Sequence, residues 1–431
     1  MENVALVLFG SLVVLFMMNI PIAFALGLAS SITLLYAGNV PLVIVPQRLF
    51  TATDSFPFMA VPFFLLAGSL MESGGISRRL INFANTLIGW VSGGLGLVSI
   101  VACMFFAAIS GSGAATTAAI GSIMIPAMVK KRYPVGFSSA IQAAGGTIGV
   151  IIPPSIPMVT YGVLTGVSIG AMFVGGFGPG LLMGLSLMSV TYFKSKKEGY
   201  GGEPRASFKE IVIAFKDAIL ALLMPVIILG GIYGGMFTPT EAAVVSVVYG
   251  FVVGFFIYKE LTFKNLPKIL TDSAVSTSII MILIAAATLF GWILTNNMIP
   301  QQIASALLSF SSNPIVILLL INIILLIVGT FLDTTAAIII LVPILLPIIT
   351  QVGIDPLHFG LIVIINLAVG MITPPFGVCL FVACGIGKTS LEDVAKSVLP
   401  FLIVLLIDIL IVTYIPAVTT FLPNLLMQGT P

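Results

Sequence analysis

The chain has 431 residues, of which 59% are hydrophobic and 7% charged, with a formal net charge of +2 and a mean hydropathy of +1.23. Soluble domains carry roughly 25% charged residues, so the composition excludes a water-soluble globular protein and points to a polytopic one in a lipid bilayer. The small net charge, without a basic run interleaved with aromatics, gives no support to nucleic-acid binding.

Met1-Glu2-Asn3 leads straight into apolar sequence without a basic leader or a cleavage site, so a retained helix is expected rather than a signal peptide. Val4 to Met18 and Ile22 to Tyr36 flank Asn19-Ile20-Pro21 and form either two short crossings or one broken helix. A connector with Arg48 and Asp54 precedes a crossing from Phe56 to Met71. From Ile76 to Ile88, Ile76, Leu80, Phe83, Ala84, Leu87 and Ile88 repeat at helical spacing opposite Arg78, Arg79, Asn82 and Asn85. That pattern predicts a helix lying along the membrane surface or a solvated loop helix.

The apolar stretch 92–129 is interrupted by Ser110 to Gly113, and the next by Gly149 to Pro157, where two adjacent prolines cannot continue a helix ladder. Residues 170–193 close a first half, 1–193. A polar linker is expected over 194–216, and a second half over 217–431. Thr238-Pro239-Thr240-Glu241 reads as a capping box, a structural task sufficient to explain Glu241. Crossings are expected over 242–258 and 273–294, with a short surface segment at 301–310. A second hairpin over 315–349 breaks at Gly329 to Asp333; 357–385 breaks at Thr373 to Pro375, and 399–422 ends the chain.

Pro21 and Pro239, like Thr116-Thr117 and Thr334-Thr335, lie 218 residues apart, and Pro153-Pro154 and Pro374-Pro375 lie 221 apart. Three landmarks in one order argue for duplication. If neither hairpin crosses the membrane, 16 of the 17 Lys and Arg fall on one side, with Arg48 alone opposite, which makes that side cytoplasmic. The odd number of crossings then inverts the second half. The fold expected is all-α integral membrane, an inverted repeat with two re-entrant helical hairpins and broken transmembrane helices.

Broken helices bare backbone groups that hydrocarbon cannot satisfy, so such breaks persist where they bind something or line a cavity. Helix starts inside the membrane favour an anion, and carbonyls with Ser or Thr hydroxyls suit a hard cation such as sodium. Ser110 and Ser112 are expected to face Gly149 to Pro154, and Gly329 and Asp333 to face Thr373 to Phe376. Asp333 is the one acid at a break in apolar sequence, a cation ligand or a group controlling the substrate cavity; it also reads as an N-cap for Thr334 onward, and a capping carboxylate keeps an oxygen free for the other role. Asp408, also within an apolar helix, has no neighbouring break and no assigned role. Cys103, Cys379 and Cys384 lack metal-ligand spacing, and His358 lacks a second ligand, so no catalytic or transition-metal centre can be assembled. Gly387-Lys388-Thr389 lacks the first glycine of a phosphate loop; Thr389 and Glu392 fit a capping box better, and no ATP site is found.

PFFLLAGSLMESGGISRRL, SGSGAATTAAIGSIMIPAM, GGTIGVIIPPSIPM, GGMFTPTEAAVV, GTFLDTTAAIIILVP and NLAVGMITPPFGVCLFV together resemble the large membrane subunit of tripartite ATP-independent periplasmic (TRAP) transporters, across almost the whole chain. The resemblance implies an elevator-type carrier of the ion transporter superfamily in the bacterial inner membrane. It would import organic anions such as sialic acid or C4-dicarboxylates by symport with sodium. Carried over motif by motif, sodium ligands would come from Ser110, Ser112, Gly149, Ile152 and Pro154, and from Gly329, Asp333, Thr373 and Phe376. Ser112, Thr116, Ser155, Asp333 and Thr335 are the candidates for substrate contact. Two partners are implied: a periplasmic substrate-binding (P) protein and a small membrane (Q) subunit, expected as a separate chain because the extra N-terminal helices of fused versions are lacking. A stand-alone carboxylate carrier of the same superfamily and a non-transporting membrane scaffold or channel are the alternatives.

Overall fold

The computed structural model describes residues 2–38, 40–310 and 313–427, and every regular element among them is helical. Helices α1 (Glu2–Met17) and α2 (Ile22–Ala37) are separate and pack together, so the first apolar stretch is two helices. The residue before a proline is steered out of helical geometry, which places the break at Pro21. Residues 44–53, expected as a connector, form α3 (Ile44–Thr53), bent by 62° from the segment that continues through α4 (Ala60–Ser73). The charge that obscured it, Arg48, lies 5.1 Å from the centre of the Trp292 ring.

Helix α5 (Ile76–Ile88) has the expected apolar face, with Ile76, Leu80, Phe83 and Ala84 buried and Arg78 and Asn82 exposed. Arg79 departs from the pattern: it is half-buried, 2.9 Å from Glu260 Oε1 and 3.7 Å above the Tyr258 ring. Helices α6 (Gly94–Ser110) and α7 (Gly113–Lys130) pack along each other as the first hairpin. They lead through α8 (Val135–Thr147) and a proline break to α9 (Ile156–Thr165) and α10 (Ile169–Glu198).

The polar linker is shorter than its composition suggests, because α10 runs to Glu198 and α11 (Phe208–Tyr233) begins at Phe208. Lys196 and Lys197 occupy the last turn of α10, where the helix dipole favours cations, and Ser207 with Glu210 forms a capping box for α11. Helix α12 (Pro239–Val252) starts at the expected capping box: Thr238 N donates to Glu241 Oε2 at 2.7 Å and Glu241 N to Thr238 Oγ1 at 3.3 Å. Helix α13 (Leu266–Asn296) begins earlier than expected and is followed by α14 (Ile299–Phe310). The second hairpin, α15 (Pro314–Phe331) and α16 (Thr334–Gln351), leads to α17 (Pro356–Gly370), a second proline break and α18 (Val378–Gly387). Both Pro-Pro bonds are cis. The last apolar segment is two helices, α19 (Leu391–Tyr414) and α20 (Ala417–Leu426). Ser390 caps α19 by accepting from Asp393 N at 3.2 Å, in place of the expected Thr389 and Glu392; Glu392 instead pairs with Lys396.

The apolar interior divides in two. The larger core joins α4 to α12 with α15 to α19; the smaller is built from Leu8, Leu12, Ala25 and Leu26 with Leu283 to Leu294 of α13. Helix α16 faces both: Ala336, Ile339, Ile340 and Ile344 enter the smaller core, Ile338, Val342, Leu345 and Ile349 the larger. The hairpins are therefore unequal. Helix α16 packs on α9, α13 and α14 and scarcely touches α15, which packs on α17.

The connector 199–207 is docked rather than loose. Gly93 N donates to Tyr200 O at 2.9 Å and Glu203 N to Gly89 O at 2.8 Å; Asn85 Nδ2 is 3.0 Å and Lys131 Nζ 3.4 Å from the Glu203 carboxylate. The Asn85 bond, with help from Lys131, holds the Glu203 carboxyl below its ordinary pKa. A depressed carboxyl stabilises docking above its undocked pKa, about 4.3, and the contribution disappears as pH falls through the docked value. The Gly93 and Glu203 amides, which carry the two docking bonds, should therefore, after correction for intrinsic rate, lose hydrogen-exchange protection on acidification below that value, and Glu203→Gln should remove the pH dependence. Protection that is unchanged across this range in the native chain would contradict the assignment.

Candidate functional site

At the first tip the chain leaves α6 through Gly111, at φ +61°, where an added Cβ would stand 2.8 Å from Pro154 O. Only glycine tolerates both conditions. Ile156 N donates to Gly111 O at 3.4 Å, and a Cβ on Gly149 would lie 2.6 Å from Ser112 O, so tip and proline break are in main-chain contact as expected. Ser112 is the N-cap of α7, accepting from Ala115 N at 3.4 Å. Three oxygens gather here: Ser110 Oγ and Thr116 Oγ1 are 2.8 Å apart, and Ser112 O lies 2.8 Å from Thr116 Oγ1 and 3.4 Å from Ser110 Oγ. Oxygen ligands at such spacing suit a hard cation.

At the second tip the break is narrower than expected. Helix α15 continues through Gly329 to Phe331, leaving Leu332 and Asp333 between helices. Gly329 is thus a helical residue whose lack of a side chain admits α17: a Cβ on it would stand 3.1 Å from Leu367 Cα and 3.2 Å from Gly370 Cα, and one on Gly370 would stand 2.5 Å from Gly329 C. Gly377 N donates to Thr330 O at 3.1 Å, tying this tip to the second proline break, and the Phe331 and Phe376 rings, both exposed, are 5.1 Å apart. Asp333 is the N-cap of α16, accepting from Thr335 N at 3.0 Å, and its residue is exposed beside this break.

The two tips meet across Met371. Thr334 Oγ1 lies 3.3 Å from Met371 Sδ, while a Cβ on Gly113 would be 2.9 Å from Met371 Cε. The structure thus brings the two tips and both breaks into one region. Ile152 and Pro154 are buried in the first break, and Thr373 Oγ1 donates to Val369 O at 2.9 Å. Three substrate candidates do not present free hydroxyls to an open surface. Thr116 and Ser155 are buried with their hydroxyls bonded, the latter to Val150 O at 2.6 Å, and Thr335 is buried. Ser112 and Asp333 remain accessible.

Sequence reasoning missed Met371, whose apolar side chain gives no signal, and a buried polar seam behind the second tip. Asn366 Nδ2 donates to Asn322 Oδ1 at 2.9 Å, and Asn322 Nδ2 to Thr413 Oγ1 at 3.0 Å. Lone asparagines in apolar helices were the available sign, since interhelical hydrogen bonds join helices where hydrophobicity cannot. Asp408 also finds a partner, accepting from Ser186 Oγ at 2.8 Å.

A family model described as "Tripartite ATP-independent periplasmic transporter, DctM component" matches residues 9–418. The chain is 50% identical over 416 residues to the isethionate TRAP transporter permease protein DctMQ of Oleidesulfovibrio alaskensis, covering 96% of this chain and 66% of that one. It is 44% identical over 400 residues to the C4-dicarboxylate TRAP transporter large permease protein DctM of Pseudomonas aeruginosa, covering 93% and 94%. To the sialic acid TRAP transporter large permease protein SiaM of Vibrio cholerae it is 40% identical over 420 residues, covering 97% and 98%. Among solved structures, the YdaH transporter of Alcanivorax borkumensis aligns over 90% of both chains with a TM-score of 0.61 at 13% identity, a likeness of fold.

Proposed function

We propose, because the chain belongs to the DctM component family of tripartite ATP-independent periplasmic transporters, that it imports an organic anion by symport with sodium. The family is one of transport permeases rather than enzymes, and the chain is a multi-pass protein of the bacterial inner membrane. The observation that carries the proposal is the meeting of two interrupted hairpins with two proline breaks around Met371. Ser110, Ser112 and Thr116 supply oxygens for one sodium ion with the carbonyls of 149–154; Asp333 and the loop from Thr373 to Phe376 serve a second. The anion lies between the tips against the N-termini of α7 and α16, where peptide dipoles favour negative charge. Movement of the larger core past the smaller one, in the manner of an elevator, would carry it across.

The relatives are named for isethionate, C4-dicarboxylate and sialic acid, so the cargo is a sulfonate or carboxylate. The 50% identity to the isethionate permease makes a small sulfonate the first to test. A periplasmic binding protein delivers it, and a small membrane subunit completes the complex. The chain spans 66% of the length of the DctMQ relative.

The test is uptake into proteoliposomes of the purified permease with candidate small subunits and binding proteins, with and without a sodium gradient. Uptake should require both sodium and the soluble protein. Sodium-independent uptake would remove the coupling; uptake without the soluble protein would reassign the chain as a stand-alone carrier.

A further inference from the structure

The docked connector borders a cavity of about 380 Å³ that the proposed transport site does not use. Its cations are Lys131 and Arg132 and its carboxylates Glu198 and Glu203, beside the Tyr133 and Tyr200 rings stacked at 4.3 Å. Next to it the Arg205 guanidinium lies 4.0 Å from the Trp90 ring centre, and Lys209 stands exposed one turn further on.

Glu203 already accepts from Asn85 and pairs with Lys131, and Glu210 is bonded to Ser207 in the capping box. Among the described residues no carboxylate pairs with Arg132, Arg205 or Lys209, and the Gly201 and Gly202 amides donate to no backbone carbonyl. Three exposed apolar side chains belong to the same elements: Trp90, under the Arg205 guanidinium and bonded through Nε1 to Leu87 O; Leu87 itself; and Phe208, 82% exposed and next to Lys209 at the start of α11, which is long and apolar enough to cross a membrane. Clustered basic groups beside a membrane surface attract anionic lipid headgroups, and an apolar flank offers the acyl chains a surface. A free phosphate would leave that flank unused.

We propose that this rim binds an anionic phospholipid of the cytoplasmic leaflet, with Arg205, Arg132 and Lys209 on the headgroup phosphate and the acyl chains along Leu87, Trp90 and Phe208. The site is separate from the cargo site and holds the connector, through Arg205, at the membrane surface.

Native mass spectrometry of the full chain, equilibrated in detergent with equal phosphatidylglycerol and phosphatidylcholine, tests this directly. Phosphatidylglycerol should be retained in preference, and each cation removed, by Arg205→Ala or Lys209→Ala, should cut the preference by roughly fivefold. Arg205→Lys should keep most of it. Thermal melting of each variant without added lipid checks that the chain remains folded. Equal retention of the two lipids, or a preference that survives the double alanine variant, overturns the proposal. Displacement by millimolar inorganic phosphate would assign the site to a free anion and overturns it equally.

Discussion

Asp333→Ala is expected to reduce sodium-driven uptake in proteoliposomes by roughly 100-fold, as the loss of a charged contact worth about 3 kcal/mol requires. The residue stands exposed at the second tip, and its side chain is also the N-cap of α16. Alanine removes both the charge and the cap, and the cap alone is worth about 1 kcal/mol. Asp333→Asn separates them, because asparagine caps a helix as well as aspartate does but carries no charge. The asparagine variant should melt close to the native protein and transport as poorly as the alanine one. Native uptake by Asp333→Asn would reduce Asp333 to a structural cap and remove the second sodium assignment.

Gly370→Leu should abolish uptake by a different route, through the packing that places the second tip. A Cβ at 370 meets Gly329 C at 2.5 Å, Cα at 2.6 Å and O at 2.8 Å, all main-chain atoms. A flexible side chain could swing aside, but here α15 and α17 must separate along with the tip bond from Gly377 N to Thr330 O. Overpacking commonly costs about 1 to 3 kcal/mol, and an obstacle made of backbone puts this site at or above the upper end. Loss of the folded, monodisperse protein on size exclusion, or a large fall in melting temperature, is the expected readout. Gly385→Ala, on the neighbouring α18 with open space around it, is the control and should melt within about 0.5 kcal/mol of native. Equal melting of the two variants would mean that α15 and α17 tolerate separation.

The features legible in sequence were those with a backbone cause. Proline placed the breaks at Pro21 and in both Pro-Pro loops, the capping box at Thr238 and Glu241 placed a helix start, and amphipathic spacing gave α5 its residues. Features set by tertiary contact were not. Arg48, Lys194, Lys196 and Lys197 read as loop residues, yet they lie in helices, where aromatic faces accommodate Arg48 and Lys194 and the helix dipole favours Lys196 and Lys197. Gly329 read as part of an unwound tip, but it is helical, and what needs its hydrogen is the α17 backbone at Leu367 and Gly370, 38 and 41 residues away. For the site itself, pattern located the two tips and their breaks; that Met371 lies between them depends on how two distant hairpins pack.

Helix α16 has a mechanical consequence. Its contact with the smaller core is a stripe of Ala336, Ile339, Ile340 and Ile344, and among the described residues no side-chain hydrogen bond or ion pair crosses from it to α2 or α13. Apolar contact is non-directional, so along this seam the register of α16 is set by the shape of its side chains and not by any polar pairing. Since α16 begins at Thr334 and Asp333 is its N-cap, the carboxylate stands at the point where this unpinned helix joins the second tip.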